Sequence, residues 1–147
     1  MNKNAILYLD CFSGISGDMF LGAMLDLGID GDDFLRELKK LPLTDYEIDI
    51  KKSIKGGITG TDVDIRTSEH HPHRGLSHIY DIIDKSSLKP EVKQKSKEAF
   101  HKLATVEGGI HGKSPEEIHF HEVGAVDSIV DIIGACILMD IDRKSVV

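Results

Sequence analysis

Four groups of residues have types and spacings that could do chemistry. In His119-Phe120-His121-Glu122 the two imidazoles fall on one face of a strand, with a carboxylate beside them and Phe120 turned the other way. That arrangement suits a borderline metal ion; the plainer alternative is a polar strand face in solvent. It is not the helical H-E-x-x-H pattern, so a zinc protease is not indicated. Asp127 and Asp131 are four apart and share a helical face. Their helix is otherwise apolar, and burying two like charges is costly unless a cation or donor meets them. A solvent-facing stripe of Gly124, Asp127, Ser128 and Asp131 is the other possibility. The internal stretch Glu69-His70-His71-Pro72-His73 could chelate nickel, zinc or copper through His70, His71 and His73, or be a solvated loop. The fourth group is Asp10-Cys11-Phe12-Ser13-Gly14-Ile15-Ser16-Gly17-Asp18. Glycines there let backbone N–H groups converge before a helix start, a nest for a phosphate or carboxylate at Ser13, Gly14, Ser16, Gly17 and Asp18. It lacks the lysine of a P-loop, and a tight structural turn with Asp18 as the N-cap explains it as well. Asp10 sits where a strand's carboxyl end would be, the edge at which ligands collect in open α/β sheets.

The surrounding pattern says which elements position these groups. Residues 5–9 form a continuous apolar run, expected to be a buried first strand. Met19, Phe20, Ala23, Met24 and Leu27 make one helical stripe ending at Gly28. A second helix is expected over 31–40, stopped by Pro42. Residues 46–67 alternate in period two around Gly56-Gly57, which predicts an antiparallel hairpin, with Gly60 as a further turn or bulge. A helix follows with Ser77 as N-cap. Pro90 opens another at its first position, with Val92, Ala99, Phe100, Leu103 and Val106 as its core stripe. Ser114-Pro115-Glu116-Glu117 is a capping box. Residues 125–140 read as a strongly apolar helix that could be half exposed and drive self-association. Asp142 to Val147 reads as the start of another strand. The fold class is α+β or α/β, a small mixed sheet with flanking helices.

Composition limits the partners. A chain of 147 residues is one domain with room for a core. At 40% hydrophobic and 29% charged it is not a disordered chain. Acidic residues exceed basic ones 25 to 18, and Trp is absent, which argues against a nucleic-acid surface or a base-stacking platform. The eight His are close to half the Lys+Arg total, and five of them lie in the two clusters above. Two distant cysteines and no signal-like or membrane-length segment point to a reduced, cytoplasmic protein without a membrane partner.

The segments YLDCFSGISGDMFLGAMLDLG at 8–28 and IHFHEVGAVDSIVDIIGA at 118–135 resemble the two signature stretches of the LarC family. These are the nickel-insertion proteins of the nickel-pincer nucleotide cofactor. The similarity continues through GITGTDV, the His-rich loop, GLSHIYDIID and VEGGIHG, and so covers nearly the whole chain. The resemblance implies a cyclometallase that inserts Ni(II) into pyridinium-3,5-bisthiocarboxylic acid mononucleotide, forming two Ni–S bonds and one Ni–C bond. It implies dependence on CTP with Mg or Mn, and a product used by lactate racemase and related enzymes. Under that reading His70, His71 and His73 collect nickel, and His119, His121 and Asp131 hold metal. Asp10, Glu122 and Asp127 are catalytic candidates; forming Ni–C removes a ring proton and needs a base, for which Glu122, Asp127 or a histidine could serve. The 13–18 loop takes the substrate phosphate. Family members continue well past residue 147, and their nucleotide-triphosphate contacts are attributed to the C-terminal part. Residues 1–147 are then a single N-terminal domain whose partners include that missing part and, as an option, a second copy. Two other readings remain: a nickel-binding chaperone or storage domain without catalysis, and a metal-dependent hydrolase using His119-x-His121.

Overall fold

A computed structural model describes residues 6–44, 46–67, 74–120 and 123–145. Helices α1 (Gly17–Asp26) and α2 (Gly31–Leu38) precede the hairpin β1 (Tyr46–Lys55) and β2 (Ile58–Thr67). Then come β3 (Arg74–Gly75), α3 (Leu76–Lys85), α4 (Pro90–His111), a 3₁₀ turn at Pro115–Glu117, β4 (His119–Phe120) and α5 (Val126–Ser145). The class is α+β. Helices flank two small antiparallel ribbons, β1–β2 and β3–β4. None of the described helices is long and apolar enough to cross a membrane.

The hairpin forms as the alternation requires. Tyr46 pairs with Thr67 and Lys55 with Ile58, and the two loop residues Gly56 and Gly57 both have positive φ, as a type I′ loop demands. Gly60 lies opposite Ser53 in regular register and is not a bulge. Asp30 caps α2 by accepting from the amides of Asp32 and Asp33. Pro90 opens α4, and the Ser114–Glu117 capping box forms.

α5 is the central spine. Ile129, Val130, Ile133, Ile137 and Leu138 are buried against α1, α2 and α4, so this helix is not the half-exposed face that its hydropathy allowed. Gly134 lets the α1 residue Leu21 and Phe34 of α2 close onto it. Phe100 and Phe120 pack tilted at 57°, which fastens β4 to α4.

Several expectations change. Residues 6–10 form no strand: they find no neighbouring strand among the described residues, and a strand needs one for its N–H and C=O groups. Ile6 and Tyr8 there are 89% and 81% exposed. Ser16, not Asp18, is the N-cap residue of α1, and Gly75, not Ser77, that of α3. α5 continues to Ser145, because no Gly or Pro after Asp140 stops it, so the strand expected from 142 is helix as far as it is described. In α4 the buried residues are Val92, Ser96, Phe100, Ala104 and Gly108, while Leu103 and Val106 face outward.

Candidate functional site

The glycine loop turns the chain into α1. Gly14 has φ of +86°, and its N–H donates to the Cys11 carbonyl at 2.9 Å, a turn that other residues adopt with strain. The loop is exposed, Asp10 and Ser13 included. The Ser16 hydroxyl donates to the Asp18 carboxylate in the first turn. Acidic residues favour that end of a helix, where unpaired N–H groups carry partial positive charge.

α5 brings a second acid to the same end. Asp131 lies directly against Gly17: a Cβ on Gly17 would collide with the Asp131 carboxylate. Asp127, one turn earlier, accepts from the Ser128 amide at 2.8 Å. Among the described residues Asp131 has no such donor, and its Oδ1 is buried without a hydrogen-bond partner. Burial first, then the charges of Asp18 and Asp127, push its carboxyl up from 3.8 to about 6. Among the described residues no basic side chain offsets them. The structure therefore joins Gly17, Asp18, Asp127 and Asp131 into one corner that is anionic and short of donors.

His119 sits on the exposed face of β4, with Phe120 inward, as the alternation required. β4 is tied to the start of α5 by a residue with no sequence signal. The Arg74 guanidinium donates to the Gly124 carbonyl at 2.7 Å, and a Cβ on Gly124 would press on the Phe120 carbonyl at 2.8 Å. Arg74 thus positions the turn between His119 and Asp127, and reading the sequence missed it. His121 and Glu122 lie outside the described residues, as do His70, His71 and His73. Among the described residues, no group of three or more His, Cys, Asp or Glu side chains is arranged to hold a metal ion. Asp18, Asp127 and Asp131 come together electrostatically; Asp10 and His119 are not drawn into contact with them.

What the corner can do follows from its atoms. Oxygen-only donors with a raised carboxyl suit a hard divalent cation, a proton, or both in turn. A bare phosphate on the 13–18 loop would meet Asp18 and Asp131, so it would need a cation between.

Comparison with known proteins gives this corner a context. A family model described as "Nickel insertion protein" matches residues 7–144. A protein of Desulfitobacterium hafniense is 55% identical over 130 residues, covering 88% of this chain and 32% of that protein. One of Acetivibrio thermocellus is 50% identical over 145 residues, covering 92% and 36%. One of Geobacillus kaustophilus is 48% identical over 144 residues, covering 91% and 35%. All three bear the name pyridinium-3,5-bisthiocarboxylic acid mononucleotide nickel insertion protein. The chain spans about a third of the length of these relatives. No solved structure matches it. A match that takes in the glycine loop, the hairpin, β4 and nearly all of α5 leaves one conclusion: the chain belongs to the nickel insertion protein family.

Proposed function

We propose that residues 1–147 act as the N-terminal domain of a cytoplasmic cyclometallase. It inserts Ni(II) into pyridinium-3,5-bisthiocarboxylic acid mononucleotide, and its product serves lactate racemase-type enzymes. CTP with Mg or Mn would be bound chiefly by a further C-terminal domain, as the length of the relatives suggests. The observation that carries the reading on this chain is the half-buried Asp131 carboxylate beside Asp18 and Asp127, its Oδ1 buried without a donor among the described residues.

The residues fit a hard cation. The orphaned Asp131 Oδ1 and its neighbours are all oxygen donors, and Mg typically takes one or two carboxylates and completes its shell with water and substrate phosphate. Such a cation would neutralise a phosphate held on Ser13, Gly14, Ser16 and Gly17. Asp18 and Asp131 are the residues that would hold it. Nickel, the substrate metal, calls for softer donors. His119 and His121 supply them at the site and His70, His71 and His73 on the loop. Asp127, Glu122 or Asp10 serves as the base that removes the ring proton.

The test combines the full-length protein, the bis-thiocarboxylated mononucleotide, Ni(II), CTP and Mg or Mn, followed through the ligand's absorption. The expected result is a nickel-dependent spectral change that needs CTP. Asp127→Ala or Asp10→Ala abolishes it while nickel binding partly remains. No change with CTP present overturns the proposal. Nickel binding that depends only on the 70–73 loop, with no spectral change, makes the protein a chaperone. Zinc preference without a nucleotide requirement makes it a hydrolase.

A further inference from the structure

α4 has a second apolar face that the described structure leaves bare. Its buried residues, Val92, Ser96, Phe100, Ala104 and Gly108, are four apart. At about 100° per residue, a ridge of that spacing winds roughly 40° per step, or about 160° from Val92 to Gly108. The side of the helix that meets the core near Val92 has therefore turned away by the last two turns. Ala99, Leu103, Val106 and Ile110 occupy it, within about 60° of one another. Leu103 is 39% exposed, Val106 66% and Ile110 77%. Isolated apolar residues are ordinary on a surface, but a contiguous stripe marks a docking face.

The spacing and the flanking charges specify the occupant. Steps of four, three and four are those of an a/d seam, which takes another helix. Lys102 stands just before Leu103, at the position usually called g, and Glu107 just after Val106, at e. Neither makes an ion pair among the described residues. In a parallel pair, a g residue faces the e residue five positions further along the other helix, and such pairs set orientation. Lys102 and Glu107 have that separation. A second copy laid parallel thus meets Lys102 with Glu107 and Glu107 with Lys102, and an antiparallel copy would face the lysine flank with itself. Gly109, the next g position, has open space around it and lets the helices approach.

We infer that the C-terminal half of α4 is a self-association surface that pairs with the same helix of a second copy, in parallel, about a two-fold axis. The stripe is far smaller than the roughly 800 Å² per partner of a standard stable interface, so the pair is weak and concentration-dependent.

The experiment is sedimentation velocity on the 147-residue protein from roughly 5 to 500 μM, a span set by the micromolar-to-millimolar affinities of weak complexes. The expected result is a mass rising toward that of a dimer. Val106→Glu weakens the pair at least about tenfold without lowering the melting temperature, because that side chain is mostly in solvent. Lys102→Glu weakens it less, and Glu107→Lys added to Lys102→Glu restores it. In a Cys11→Ser background, Val106→Cys forms a disulfide-linked dimer on oxidation, which a parallel seam allows. A monomer at every concentration overturns the inference. So does an association that Val106→Glu leaves intact and Tyr8→Ser removes, since the exposed 6–12 segment would then be the contact.

Discussion

The two ends of α1 set up the same contact and finish it differently. Each has a glycine pressed against another element and an aspartate beside it. At the C-terminal end Gly22 lies on the β2 backbone, where a Cβ would collide with the Thr61 carbonyl. Asp26 there accepts from the Thr61 amide at 2.9 Å, the Thr61 hydroxyl at 2.6 Å and the Lys52 ammonium. These donors, the lysine first, hold its carboxyl down at about 2. At the N-terminal end Gly17 lies on Asp131, which receives no donor among the described residues and is pushed up to about 6. Where donors are supplied, the acid is a clamp between helix and sheet. Where they are withheld, the acid keeps capacity for a cation or a proton, at a cost to the fold.

The largest effects test the glycines. Gly22→Ala sets a methyl against backbone, which cannot rotate away. It should cost about 3 kcal/mol and lower Tm by roughly 10 °C. Gly17→Ala meets a side chain instead and should cost about 2 kcal/mol. Removing the obstacle distinguishes the two ends: Asp131→Gly, which takes away the Cβ at 2.6 Å as well as the carboxylate, should recover most of the Gly17→Ala loss and none of the Gly22→Ala loss. Urea denaturation of the three single and two double variants measures this coupling. Equal losses in both backgrounds would mean that Gly17 and Asp131 are not in contact.

Asp131→Asn should act in the opposite direction. A carboxyl raised from 3.8 to about 6 favours the fold while protonated. That contribution is whole below pH 3.8 and is lost as pH rises through 6. The Asn variant should match the parent near pH 4. At pH 7 it should exceed the parent by on the order of 1 kcal/mol, discounted because the side chain is only partly buried. Mg or Mn should raise the melting temperature of the parent and not of Asp131→Asn. A variant less stable than the parent at pH 7 would show that the carboxylate is satisfied after all.

Much of the fold could be read from local pattern because local pattern causes it. Alternation around Gly56-Gly57 makes the hairpin, Pro90 starts α4, and Ser114 with Glu117 makes the capped turn. α4's inner face was misread for a geometric reason. Hydropathy favours Leu103 and Val106, but the crossing with α5 and the turn after His111 put the small residues Ser96, Ala104 and Gly108 on the buried ridge beside Val92 and Phe100. The run 5–9 has a strand's composition, yet pairing needs a neighbour that composition cannot supply. In the site, the four-residue spacing of Asp127 and Asp131 inside an apolar helix was legible. Their meeting with Gly17 was not, because it depends on how α1 packs on α5. Arg74 left no trace in the sequence, since one arginine bonding one carbonyl has no period.

The smallest effect gives the sharpest contrast, because its sign is reversed. Asp26 is depressed to about 2, so its contribution is whole above 3.8 and is lost as pH falls through 2. Asp26→Asn should therefore lower Tm at pH 7, by less than Gly22→Ala, and the gap should close as pH approaches 2. Part of the loss should vanish in high salt, since Lys52 and Asp26 are exposed and salt screens such pairs. The remainder should persist, because the Thr61 amide and hydroxyl are donors that salt does not screen away. Melting curves of Asp26→Asn and Asp131→Asn across pH 2–8 should then both depart from the parent toward neutral pH, in opposite directions: Asp26→Asn falls below it as pH rises from 2, and Asp131→Asn climbs above it as pH rises through 6. If both variants were destabilised at pH 7 by similar amounts, the two ends of α1 would be alike, and the N-terminal corner would be another clamp, not a site.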